Sequence, residues 1–281
     1  MQDRIQHVLI CYGGKSGYYH GAKYQILRNF QWYKHHDICV VTDQPHLFEN
    51  YPVKVIPLTY EDMRRWSLEG QNHFGIKING LLEATQSADS GVCKSILLDT
   101  DMFWTANPEN VAWRVQKSSI IFYEDEGQIF GSRNKSIQLY ENALRDKEVD
   151  YALGKYSLTS ESRMWRSSLI GIHHEQQLLK DAFDLFQTLS PLVPAHTIEQ
   201  FSLGEIARIK GLQIREAKKY LNDWSSIGRK NYATPVLNEF FSTYGETDFS
   251  KHLSKVEEIK INRPARIFLQ QKLSRILSNR N

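Results

Sequence analysis

The chain has 281 residues, 41% of them hydrophobic and 24% charged, enough for one large α/β domain and unlike a disordered or fibrous sequence. Its formal charge of +3 is unevenly placed: from Lys251 onward eight Lys or Arg stand against two Glu, leaving 27 basic against 30 acidic residues before it. A slightly acidic body argues against nucleic acid as a partner, and no apolar run approaches the roughly 20 residues that cross a bilayer as a helix.

Met1 leads directly into the polar Gln2-Asp3-Arg4, so no secretory leader is expected. The cysteines, Cys11, Cys39 and Cys93, lack zinc-like spacing and read as buried free thiols, which fits a cytoplasmic protein. In chain order, residues 7–12 form an apolar first strand ending at Gly13-Gly14. A helix over 21–34 follows, with Ala22, Ile26, Leu27 and Phe30 on one face. Short apolar runs at 37–43 and 53–58 predict the next two strands, and the spacing of Ile76, Ile78, Leu81 and Leu82 a helix over 73–85. Strands are predicted at 94–99, 118–123 and 167–172, then helices over 175–189 and 198–209, the second stopped by Gly211. A last strand falls within 213–221. Strand–helix alternation of this kind implies an α/β fold with a largely parallel sheet, in which ligands bind beyond the carboxyl ends of the strands. Gly13, Asp43 and Asp99 lie at such ends.

The sharpest signal is Ile96-Leu97-Leu98-Asp99-Thr100-Asp101-Met102-Phe103-Trp104. An apolar strand that delivers two carboxylates one residue apart brings like charges together, and burying either is costly without a counter-charge. A divalent cation supplies one, and hard carboxylate oxygens suit Mg²⁺ or Mn²⁺. The plainer alternative is that both acids cap the following loop.

The element order and the motif LLDTDMFW resemble the GT-A glycosyltransferases, in style closest to bacterial enzymes of surface polysaccharide and lipooligosaccharide synthesis. The resemblance covers residues 7 to about 242 and is pattern-level outside the D-x-D. It implies a GT-A-type mixed, mostly parallel sheet flanked by helices, over residues 1–250, and transfer of a sugar from a nucleoside-diphosphate sugar to a hydroxyl of a glycan or lipid-linked acceptor. It implies Mn²⁺ or Mg²⁺ on Asp99 and Asp101, with Thr100 between them on the donor. It places the nucleotide against Tyr12, Gly13 and Asp43, with Lys77 as a basic residue facing it and Arg64 and Arg65 as weaker candidates. Arg166 stands where the family often has an asparagine. Glu199-Gln200 resembles the acidic-Gln pair beside the transferred sugar and, with Asp101, completes the expected catalytic set. The segment from Asn222 through Arg229 and Lys230 resembles the family's closing motif, with Asn222 in place of a metal-binding His, a role that Asp223 or water could take instead, and Lys230 on phosphate. Retention of configuration is the expected course, because no isolated carboxylate stands out as a base, although Glu124, Asp125, Glu126 and Glu199 could serve.

Two other D-x-D chemistries compete. A haloacid-dehalogenase-type phosphatase wants a small residue where Phe103 stands and an earlier strand. A sugar-nucleotide nucleotidyltransferase would carry a basic, Gly-rich loop after its first strand, of which Gly13-Gly14-Lys15-Ser16-Gly17 is a faint echo. A catalytically inactive nucleotide-sugar-binding scaffold is the non-enzymatic alternative. Finally, residues 251–281 form a basic tail, in which Pro264 can start a helix with Leu269, Leu273, Ile276 and Leu277 on one face. Such a helix suits either a contact with the inner face of the membrane or docking on the protein's own core.

Overall fold

The structure is a computed structural model that describes residues 4–32, 37–262, Pro264 and Phe268. The first half follows the expected alternation: β1 (Arg4–Cys11), α1 (Ser16–Trp32), β2 (Asp37–Thr42), β3 (Lys54–Pro57), α2 (Tyr60–Trp66), α3 (Gly75–Gln86) and β4 (Val92–Leu98). After β4 come a three-residue strand β5 (Met102–Trp104), the single turn α4 (Glu109–Ala112), β6 (Ser119–Gln128) and α5 (Lys135–Leu144). A small hairpin, β7 (Val149–Tyr151) with β8 (Gly154–Tyr156), leads to β9 (Arg163–His173), α6 (Leu178–Leu189) and α7 (Ile198–Ile209). The chain closes with β10 (Gln213–Glu216), β11 (Leu221–Asp223), α8 (Ile227–Tyr244) and α9 (Phe249–Lys255).

Seven strands form the central sheet in the order β10-β6-β9-β4-β1-β2-β3. Every neighbouring pair is parallel except those of β9, which runs antiparallel to both β4 and β6. The sheet is thus mixed and mostly parallel, as the alternation predicts. The strand expected within 213–221 is in fact two elements. β10 extends the main sheet beside β6, while β11 leaves it to pair antiparallel with β5.

Apolar residues fill both faces. One face buries α3, α6 and α7 through Leu81, Leu185, Phe186 and Phe201, the other buries α1 and Trp104. A third cluster joins α1 to α8 through Tyr24, Leu27, Phe103, Trp224 and Phe241. Val256, Ile259 and Ile261, just past α9, are buried in that same cluster. Of the tail beyond Asn262 only Pro264 and Phe268 are described, and Leu269, Leu273, Ile276 and Leu277 lie outside the described residues. No helix among the described residues is long and apolar enough to cross a membrane.

Candidate active site

The carboxylates of Asp99 and Asp101 leave the sheet at the end of β4, where Ile96, Leu97 and Leu98 are buried on both faces. Backbone bonds pin the turn on each side. The Asp99 N–H donates to the Ser168 carbonyl of β9 (2.9 Å), and the Trp224 N–H donates to the Asp101 carbonyl (3.0 Å). α1 supports the turn from below: the Gln25 side-chain amide donates to the Asp99 carbonyl, and Gly21 approaches Thr100 so closely that a Cβ there would meet the Thr100 carbonyl oxygen at 2.2 Å.

Each acid has its own lysine. Lys77, 13% exposed, places its Nζ 2.8 Å from Asp99 Oδ1 and 3.7 Å from Glu199 Oε1. Burial opposes its charge, but Asp99 and Glu199 outweigh burial and hold Lys77 above the ordinary lysine range. Burial likewise raises Asp99 and Glu199 above ordinary carboxylates, with Lys77 as the main opposing influence on both. Glu199 accepts from the Ser167 hydroxyl (2.7 Å) through Oε1, while Oε2 is buried with no hydrogen-bond partner. On the opposite side, Lys230 Nζ lies 2.8 Å from Asp101 Oδ2, with 41% of its side chain exposed. Burial lowers its pKa and Asp101 raises it, the net effect being upward.

Asp99, Thr100, Asp101, Lys77 and Lys230 line one cavity of about 820 Å³. It extends past Tyr12 and Gly13 to α2 and the start of α3. Rings of Tyr12, Tyr18, Tyr60 and Phe74 flank it, surfaces on which a base can stack. Lys15 and Arg64 add positive charge to its wall, with Arg64 paired to Glu69 at 2.9 Å. The cavity edge at Leu68, Glu69 and Gly70 holds three successive residues at positive φ (54°, 58° and 85°), a conformation that favours glycine and that two ordinary side chains adopt here.

Other expected residues sit differently. Asp43 accepts from the Gly13 N–H (3.1 Å) and the Tyr19 hydroxyl (2.7 Å), so its carboxylate holds the loop after β1 and lies behind the cavity wall. Gln200 turns its amide toward Glu126 (2.9 Å). Asn222 is not brought to the acids. Opposite Phe103 on the β5–β11 ladder, its amide donates to Asn262 (2.8 Å), and it lines a separate cavity of about 440 Å³ with Arg166, Glu124 and Asp223. The residue whose backbone meets Asp101 is Trp224, which offers no metal ligand. No cluster of three His, Cys, Asp or Glu suited to a metal occurs among the described residues.

Among solved structures, the chain aligns over 93% of its length with 98% of galactosyltransferase LgtC in complex with donor and acceptor sugar analogs, at a TM-score of 0.53 and 9% identity. Its fold is that of the GT-A glycosyltransferases. Mouse xyloside xylosyltransferase 1, in its apo form, aligns at a TM-score of 0.46 and 10% identity, over 76% of this chain and 85% of that one. No protein-family profile and no curated protein sequence matches the chain.

In this GT-A fold, sequence reading missed the contacts of Arg166 and the place of Trp224. The guanidinium of Arg166 has partners 42, 57 and 59 residues away, beyond any local pattern. Only the pairing of two three-residue strands puts Trp224 beside Asp101.

Proposed function

We propose that the protein is a glycosyltransferase that moves a sugar from a nucleoside-diphosphate donor to a hydroxyl of a glycan or lipid-linked acceptor, with retention of configuration. The observation that carries this reading is the turn of Asp99 and Asp101 on the wall of a cavity long enough for a nucleotide, with a lysine held against each acid.

Charge supports a divalent cation there. With all of them charged, Lys15, Arg64, Lys77 and Lys230 balance Glu69, Asp99, Asp101 and the adjoining Glu199, so the protein's own groups there are close to neutral. A diphosphate alone would leave the site strongly negative, and one divalent cation restores the balance. Mg²⁺ and Mn²⁺ accept one or two carboxylates and complete their shells with substrate phosphates and water, so Asp99 and Asp101 suffice as protein ligands. When bound, the cation supplies Lewis-acid stabilisation of the diphosphate leaving group.

The protein's own groups do the rest. Lys230, exposed at the edge, offers its charge to the phosphates, while Lys77 stays between Asp99 and Glu199 and favours the charged form of both. We read Glu199, whose Oε2 is buried without a hydrogen-bond partner, as stabilising with Gln200 the positive charge that develops at the anomeric carbon. A thermal-shift screen of UDP-, GDP- and CMP-sugars with and without Mn²⁺ tests the reading. A nucleoside-diphosphate sugar should stabilise the wild type, more so with Mn²⁺, and this gain should disappear in Asp101→Asn. Stabilisation by none of them, or an equal gain in Asp101→Asn, would contradict it.

A further inference from the structure

Arg166 carries the densest set of polar contacts near the site, yet it does not line the donor cavity. Its Nε donates to the Ser168 hydroxyl (3.0 Å), Nη1 to Glu124 Oε1 (3.1 Å), and Nη2 to both Asp223 Oδ2 (2.8 Å) and the Ser225 hydroxyl (3.0 Å). The guanidinium lies over the Tyr123 ring, 4.8 Å from its centre. Four of its five N–H groups are therefore committed, and its charge is matched by two carboxylates. An arginine so satisfied has no charge to spare for a substrate anion. Burial raises Asp223, but Ser225 and Arg166 outweigh it and hold that carboxyl below the ordinary range.

Two of the segments that hold Arg166 also contact the D-x-D turn. Ser168 lies on β9, and its backbone carbonyl receives the Asp99 N–H. Asp223 ends β11, and Ser225 follows Trp224, whose N–H binds the Asp101 carbonyl. Five residues past Ser225, Lys230 reaches Asp101 from the first turn of α8. The Asp223 carboxylate also receives the Ser225 N–H (2.7 Å), and its backbone carbonyl receives the Arg229 guanidinium. One side chain thus joins the strand that seats Asp99 to the segment that delivers Lys230.

We propose that Arg166 is a positioning residue for the donor diphosphate, fixing Lys230 and the Asp101 side of the turn against β9 without touching the donor itself. This rests on the reading of the cavity as a nucleoside-diphosphate site. A lysine cannot replace it, because one ammonium cannot span Glu124, Ser168, Asp223 and Ser225 in the plane of a fork.

A double-mutant cycle tests the assignment. Binding of UDP and of GDP, each with Mn²⁺, is titrated calorimetrically to the wild type, Arg166→Ala, Lys230→Ala and the double variant. Arg166→Lys and Ser225→Ala serve as milder changes should Arg166→Ala not fold. Arg166→Ala and Arg166→Lys should each weaken the nucleotide that binds by about tenfold or more, the size of one lost charge-assisted hydrogen bond. The double variant should bind no more weakly than Lys230→Ala alone, since Arg166 acts through Lys230. Losses that multiply in the double variant, or wild-type affinity in folded Arg166→Lys and Ser225→Ala, would overturn the assignment. Failure of the wild type to bind either nucleotide would overturn the donor reading and this inference with it.

Discussion

Between Asp99 and Glu199, Lys77 is a single cation serving one half-buried and one buried carboxylate, and its removal has a signed consequence. Both acids are raised by burial and held down chiefly by Lys77. In the role proposed for it Glu199 acts as an anion, so kcat/KM should fall as pH drops through its free-enzyme pKa, above the ordinary Glu value of about 4.3. In Lys77→Met that acid limb should move to higher pH, because the group that favours the charged form is gone, whereas Lys77→Arg should leave it nearly in place. A pH–rate profile of Lys77→Met that superimposes on the wild type would show that Lys77 does not set the ionisation of Glu199. At this scale the acidic pair was legible because two carboxylates at the end of an apolar strand need a counter-charge. Lys77 was legible only through the family resemblance. The unpartnered oxygen of Glu199 and the contacts of Arg166 depend on chain segments far apart in sequence, and no local pattern encodes them.

At the scale of elements, α1 does more than cover the sheet. Gly21 lets the helix approach the D-x-D turn until the Thr100 carbonyl fills the space of a side chain, and Gln25 binds the Asp99 carbonyl one helical turn further on. Gly21→Ala gains helix propensity but forces backbone apart, so it should destabilise the fold by about 1–3 kcal/mol, the usual range for overpacking. Urea denaturation measures this, and an unchanged midpoint would show that the helix yields freely. The variant should also bind a nucleoside diphosphate with Mn²⁺ more weakly than the wild type, because the displaced backbone carries both carboxylates. The long strands and the helices with clear apolar faces were readable from spacing. The β5–β11 ladder was not, since three-residue strands carry no period to detect. α8 escaped for another reason: Pro235 interrupts it, and its buried residues Ala233, Leu237, Phe240 and Phe241 share the helix with mostly polar neighbours.

Across the whole molecule, the acids sit at a seam between two parts of the sheet. β1, β2, β3 and β4 run parallel on one side, and antiparallel β9 begins the other, so the end of β4 faces the return of β9. The nucleotide-sized cavity opens on the first side, while Glu199 approaches Asp99 through Lys77 from α7 on the second. Strand–helix alternation made the α/β class legible, but not the strand order, because the reversal at β9 depends on non-local pairing. α8 then crosses back over α1, closing the seam with Lys230. The proposed function rests on one requirement, that Asp101 hold a divalent cation on a donor diphosphate. The direct measurement is release of nucleoside diphosphate from the donor that stabilises the wild type, followed in Asp101→Asn and in wild type with EDTA. Turnover should fall on the order of 10²-fold or more in both, with restoration by added Mn²⁺ in the wild type alone and an unaltered circular dichroism spectrum in the variant. Full turnover by Asp101→Asn, or a wild-type rate indifferent to EDTA, would contradict it.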